Sequence, residues 1–279
     1  MTLTEVSNLS GWKSKNLSWA GRATLIKSVA QSIPTYTMAA LQFPKNLCDQ
    51  LDAVVRRFWW NPKTESSHYW TPISWSSLCR PLKEGGLGFK KYWEFNQALL
   101  SKLAWWMLSA KNCLCVNVLR AKYKIRNNWL SHISQGNSSP IWKSLEVVKH
   151  LFSNAACMTV GDGNSIRIWD DPWIPNLQGF IPKPKVGVNS DEMLLVSQLL
   201  NSDHNAWDIH MLRHWFEDSE IELILKIPLS SCVVEDGWTW TPTSSRDLTV
   251  KSAYWFCRGF SASQPPEPLW HHLLEIQSS

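Results

Sequence analysis

The stretch Leu17-Ser-Trp-Ala-Gly-Arg-Ala-Thr-Leu-Ile-Lys-Ser-Val-Ala-Gln-Ser-Ile33 decides how the first part of the chain is built. Trp19, Ala23, Ile26, Ala30 and Ile33 recur at three- and four-residue steps, the spacing of one helix face. Leu25 and Val29 widen that face until it must be buried. Ser18 is an N-cap, and Pro34 ends the run because proline lacks an N–H and disfavours helix in the residue before it. Arg22 breaks the pattern. At 100° per residue it points into the apolar arc between Trp19, Ile26 and Val29, where a guanidinium needs an anionic partner. Two partners suit it: a carboxylate of a neighbouring helix, Asp49 or Asp52, or a nucleic-acid phosphate. Gly21 beside it permits close approach of another backbone.

Working outward, Tyr36–Phe43 is a short apolar segment, and the next helix is predicted over Lys45–Trp60, stopped by Asn61-Pro62. Residues 61–92 read as a long connection. Gly85, Gly86 and Gly88 mark a sharp turn with positive φ, and Lys83, Lys90 and Lys91 flank it. A glycine-rich loop between lysines can cradle phosphate, but this one matches no nucleotide-binding fingerprint, and a tight turn into the next helix suffices. Helices follow over Trp93–Ala110 and Cys113–Tyr123. The second of these ends in Arg120, Lys122, Lys124 and Arg126 interleaved with Tyr123 and Ile125, which suits either a nucleic-acid strand or a solvated helix end.

Beyond the break at Gly136–Pro140 and a helix over Ile141–Phe152, the period changes to alternation. Cys157–Gly161 and Ser165–Trp169, joined by Asp162-Gly163-Asn164, predict one β-hairpin; Gly237–Thr241 and Asp247–Val250 predict another. Two short acidic helices are expected at Asp208–Phe216 and Asp218–Ile227, and a further helix at Lys251–Arg258.

Composition sorts the two halves. Residues 1–126 hold 18 Lys and Arg against 6 Asp and Glu, whereas residues 127–279 hold 10 against 17. A basic front of this kind suits a polyanion. The 19 tryptophans among 279 residues supply large apolar surfaces for cores and stacking. No apolar run approaches the length of a membrane span and the N-terminus lacks a signal-peptide layout, so the expected location is intracellular, nuclear or cytoplasmic. The seven cysteines are scattered without zinc spacing and read as reduced thiols.

Few residues suggest chemistry. Asp170-Asp171 lies between tryptophans and is followed by proline, the pattern of a turn. His210 and His214 share a helix face, but no third metal ligand accompanies them. No catalytic constellation, metal site or cofactor site emerges, and the chain is expected not to be an enzyme as it stands.

Taken together, several motifs resemble those of a known family. Trp19-Ala-Gly-Arg22, Leu25-Ile-Lys-Ser-Val29 and Ile33-Pro-Thr-Tyr36 resemble the segment after the polymerase palm in plant non-LTR (LINE-type) retrotransposon reverse transcriptases. Phe58-Trp-Trp60, Trp70, Trp75, Pro81 with Gly85-Gly-Leu-Gly88, Asn96-Gln-Ala-Leu-Leu100 and Lys102-Leu-Ala-Trp105 continue the likeness. Val160-Gly-Asp-Gly-Asn-Ser-Ile-Arg-Ile-Trp-Asp-Asp-Pro-Trp173 is similar to that family's Gly-rich stretch, and Asp236-Gly-Trp238 with Leu248–Tyr254 to the start of its zinc-binding domain.

The resemblance implies a mainly α fold: a thumb-like basic helical bundle over 1–126, an α+β connection region over 127–245 with the hairpins, and the truncated leading edge of a reverse-transcriptase zinc-binding domain over 246–279. In that family the palm aspartates lie upstream of such a segment, and the zinc ligands and ribonuclease H carboxylates downstream. The expected function is that of a non-catalytic fragment of an RNA-directed DNA polymerase. It would bind nucleic-acid duplex, an RNA–DNA hybrid or RNA duplex, without sequence preference, beside the family's palm. The candidate binding residues are Lys13, Lys15, Arg22, Lys27, Arg56, Arg57, Lys90, Lys91, Arg120, Lys122, Lys124 and Arg126. The alternatives are a structural or protein-interaction module and a non-functional transposon relic.

Overall fold

The computed structural model describes residues 17–61, 69–125, 129–132, 137–188, 195–201, 205–229 and 234–259. The fold is mainly α: ten α-helices and one two-stranded antiparallel sheet among the described residues. The chain forms two compact units, Met1–Leu103 with Ala253–Ser279, and Ala104–Ser252.

The opening helix, α1 (Trp19–Leu25), starts as predicted, with the Ser18 hydroxyl accepting the Gly21 N–H at 3.2 Å. It does not continue as α-helix to Ile33. From Ile26 to Ala30 the backbone widens into a π-turn, in which the Gln31 N–H reaches the Ile26 carbonyl at 2.9 Å. Thr24, Ser28 and Ser32 hydroxyls donate to the carbonyls of Ala20, Thr24 and Ser28, and such back-bonding bends helices. Ile26 and Ala30 are fully buried, and the buried Gln31 side chain donates to the Lys90 carbonyl at 2.9 Å.

A short α2 (Thr35–Met38) leads to α3 (Lys45–Trp60), whose bounds match the prediction. Cys48, Leu51, Val55, Phe58 and Trp59 form its buried face. After α4 (Trp75–Leu78) and a 3₁₀ turn (Leu82–Glu84), the glycine turn takes positive φ at Gly85 and Gly88, 75° and 69°. Gly86 is needed for another reason: a Cβ there would lie 2.2 Å from the Arg80 carbonyl oxygen. Asn96, on α5 (Tyr92–Leu108), is fully buried and fully used. It accepts the Phe43 N–H at 2.7 Å and donates to the Met38 and Leu41 carbonyls at 2.7 and 2.9 Å. The predicted last helix is α10 (Val250–Cys257), and its Tyr254, in the first unit, accepts the Lys91 N–H on its hydroxyl at 3.0 Å.

The second unit contains α6 (Leu114–Lys122), α7 (Pro140–Phe152), α8 (Ile209–Trp215) and α9 (Asp218–Ile224). Ser139 caps α7 through the Trp142 N–H. The strands depart from the sequence reading. The first strand of each expected hairpin is present, β1 (Ala156–Thr159) and β2 (Gly237–Trp240), but the two pair with each other, Ala156 opposite Trp240 and Thr159 opposite Gly237. The local turn at Asp162-Gly163-Asn164 does not fold Ser165–Trp169 back, because the Gly161, Gly163 and Ser165 amides are held by Asp236. Arg167 instead bridges Leu195. The core of this unit gathers Ile166, Ile168, Trp173, Val196, Leu212, Phe216 and Ile224, all fully buried.

Candidate nucleic-acid interface

Three of the candidate cations, Lys13, Lys15 and Arg126, lie outside the described residues. In the first unit Arg22 lies against the Trp19 ring. Its guanidinium carbon sits 4.6 Å from the Trp19 ring centre, and Nη1 donates to the Trp59 carbonyl at 3.1 Å. Trp19 packs against Trp59 and Trp60 with centroids 4.8 and 5.9 Å apart, and Trp59, Phe89 and Trp75 extend the chain of rings. The expected salt bridge to Asp49 or Asp52 is not formed. Asp52 instead accepts Trp75 Nε1 at 3.2 Å and the Tyr92 N–H at 3.4 Å. One ring and a carbonyl replace a carboxylate as the partners of Arg22, and burial lowers its pKa from the ordinary arginine value.

Lys27 is exposed on the π-turn. Arg56 donates Nε to the Tyr69 hydroxyl at 3.3 Å, and Arg57 is half-buried in the last turn of α3. The Lys90 ammonium lies 4.0 Å from the Phe95 ring centre, and burial lowers its pKa. Lys91 is half-buried. The glycine turn offers no phosphate cradle: the N–H groups of Gly85, Gly86 and Gly88 donate to the carbonyls of Leu82, Pro81 and Arg80.

In the second unit Arg120 turns inward and donates to the Met107 carbonyl at 3.1 Å. Tyr123, read as a stacking partner for a base, is itself stacked on Trp142, with ring centres 4.0 Å apart and planes 19° apart. Lys122 and Lys124 remain exposed, Lys124 at a positive φ of 54° where the helix ends. Among the described candidates the arginines are used largely for packing, and the exposed cations are Lys27, Lys124 and Lys122, whose ammonium lies 5.5 Å from the Tyr123 ring centre.

Two features escaped the sequence reading. Asp52 is held by burial at a pKa of about 7, against hydrogen bonds from Trp75 and Tyr92 that pull it down. Asp236 gathers the amides of a distant glycine-rich loop. Neither carries a local signature, since each depends on residues far away in the chain. Asp170 and Asp171 do form a turn: Asp171 is buried and accepts the Arg167 N–H at 2.9 Å, while Asp170 pairs with Arg167 at 3.6 Å. His210 lies exposed on α8, and His214 on the same helix packs its ring edge-on against Trp215. Among the described residues no group of three or more His, Cys, Asp or Glu is placed to hold a metal ion, and no helix is long and apolar enough to cross a membrane.

The chain is 30% identical over 144 residues to the "Uncharacterized mitochondrial protein AtMg00310" of Arabidopsis thaliana, covering 93% of that protein and 51% of this one. The chain belongs to that protein's family. It is also 31% identical over 259 residues to the "Putative ribonuclease H protein At1g65750" of the same plant. That alignment takes in 89% of this chain but only 40% of the relative's length. No family model matches the chain, and no solved structure matches it.

Proposed function

We propose that this chain is a non-catalytic part of a LINE-type retrotransposon reverse transcriptase whose basic half grips nucleic-acid duplex by its phosphates. The observation that carries this reading is the similarity along 89% of the chain to a protein named for ribonuclease H, in a chain with a strongly basic front. The resemblance of residues 19–105 to the segment after the polymerase palm points the same way. Contacts would run through exposed lysines, with little sequence preference and steep salt dependence. An RNA–DNA hybrid is the expected ligand, held by its shape rather than its bases.

The test is binding of the purified chain to a labelled RNA–DNA hybrid across a salt series, beside a Lys122→Gln/Lys124→Asn variant. Asn is chosen because it tolerates the left-handed backbone at position 124. The expected result is affinity that falls steeply with salt and a variant slope shallower by about 1–2. No binding at low salt by a folded chain would sink the reading.

One observation favours a protein-interaction module instead. Leu114 and Val118, one turn apart on α6, are 79% and 54% exposed. If that face binds a protein partner such as the palm, Leu114→Ser/Val118→Ser would improve solubility without changing the salt slope.

A further inference from the structure

The second unit carries a cleft of about 560 Å³ beside the two-stranded sheet, of a size that small-molecule sites commonly have. One wall is hydroxylic. Thr159 and Thr239 lie on the same face of the β1–β2 ribbon with their hydroxyls 2.6 Å apart, and Thr241 and Thr243 continue that wall. Phe180 and Ile227 add apolar lining. Arg246 also lines the cleft and is exposed, and no ion pair engages it among the described residues.

The backbone sets this cleft apart. Five described residues other than glycine have positive φ: Ala110, Lys124, Asn176, Phe180 and Arg246. Three of them, Asn176, Phe180 and Arg246, line this one cleft, with φ of 69°, 63° and 60°. A left-handed conformation is costly for any side chain bulkier than Asn, and such strain gathers where a binding site must hold a fixed shape. Phe180 also has its backbone in use: its carbonyl accepts both the Trp173 and Ile174 N–H groups, at 2.9 and 3.0 Å. Packing around a fully buried Trp173 therefore helps to hold the strained position.

We infer that this cleft binds a single nucleotide unit, with the phosphate at Arg246, the sugar hydroxyls against Thr159 and Thr239, and the base against Phe180 and Ile227. A cation, hydroxyl partners and an apolar slot in one cleft match the three parts of that ligand. The site lies in the second unit, shares no residue with the duplex-binding lysines and does not depend on that reading. The nucleotide is either a free nucleoside monophosphate or the phosphorylated end of a nucleic-acid strand.

The test uses the full chain and isothermal titration with adenosine monophosphate, adenosine, ribose 5-phosphate, and a trinucleotide with and without a 5′-phosphate. Variants are Arg246→Asn, which keeps a residue tolerant of the left-handed backbone, and Thr159→Val/Thr239→Val, which removes the hydroxyls at nearly constant shape. The expected result is saturable binding of a phosphorylated ligand, at least tenfold weaker for the nucleoside and for Arg246→Asn, with weakening by the double valine variant. Tighter binding of the monophosphate would identify the free nucleotide as the source, and tighter binding of the 5′-phosphorylated trinucleotide a strand end. Absence of binding by wild-type chain with a native tryptophan spectrum, or binding that Arg246→Asn leaves unchanged, would overturn the inference. A loss of duplex binding with this cleft intact would count against the proposed grip alone.

Discussion

Ser165 gives Asp236 both its backbone N–H, at 2.9 Å, and its hydroxyl, at 2.7 Å, although 71 positions separate the two residues. The other carboxylate oxygen accepts the Gly161 and Gly163 N–H groups at 2.8 and 2.9 Å. One side chain thus satisfies three amides and a hydroxyl of the Gly-Asp-Gly-Asn-Ser loop and sets it at the start of β2. Asp236→Ala leaves those donors to water in a half-buried site and should cost about 1–3 kcal/mol. Asp236→Asn keeps one acceptor and should cost less. Urea denaturation of the three proteins measures the order, and equal stability of Ala and wild type would refute it.

That hub explains what the sequence could and could not show. The buried stripe of α3 and the Ser18 cap of α1 are local, so spacing and capping chemistry revealed them. The pairing of β1 with β2 is not local. Asp162-Gly163-Asn164 has the composition of a hairpin turn, and only the distant Asp236 shows that its amides serve another purpose. The π-turn at Ile26–Ala30 was hidden because its apolar spacing is also that of an α-helix. Among the candidate cations, sequence placed Arg22 correctly beside Trp19, but could not reveal that this ring and a backbone carbonyl would be its partners.

Two glycines of one turn should fail for different reasons. At Gly88, φ is 69° and nothing lies within 4 Å of an added Cβ, so Gly88→Ala meets only the left-handed penalty, about 1–2 kcal/mol. At Gly86 the added Cβ would lie 2.2 Å from the Arg80 carbonyl oxygen, and backbone must move. Gly86→Ala should therefore cost more, ~3 kcal/mol, the upper range for overpacking. Thermal melts of the two variants test the ordering. A milder Gly86 variant would mean that the turn yields.

Arg22 should matter more to folding than to nucleic acid. Arg22→Met keeps an unbranched stem but loses the bond to the Trp59 carbonyl and the contact with the Trp19 ring. The expected cost is about 1–2 kcal/mol, from one charged hydrogen bond and one part-exposed cation–π contact. Tryptophan emission should shift, because the Trp19 ring under Arg22 packs against Trp59 and Trp60. Hybrid binding should keep the wild-type salt slope. A slope shallower by about 1 would instead make Arg22 a phosphate contact.

Asp52 should make the first unit less stable as pH rises. Burial raises its carboxyl from 3.8 to about 7 in the fold; hydrogen bonds from Trp75 and Tyr92 oppose the rise, Glu94 adds to it and Lys91 opposes it. Below about pH 4 the side chain is neutral both folded and unfolded, and the neutral form suits the buried site. Between about 4 and 7 the unfolded chain releases the proton while the folded chain keeps it, so stability falls across that window. Above about 7 both forms are ionised and the loss is complete, at about 2–4 kcal/mol for a shift of this size. Asp52→Asn offers Trp75 Nε1 the same acceptor without the charge and should abolish this component of the slope. Urea denaturation at pH 4.5 and 8 compares the two proteins. The variant should gain on wild type at pH 8, and parallel pH profiles would show that Asp52 ionises in the fold as freely as it does in water.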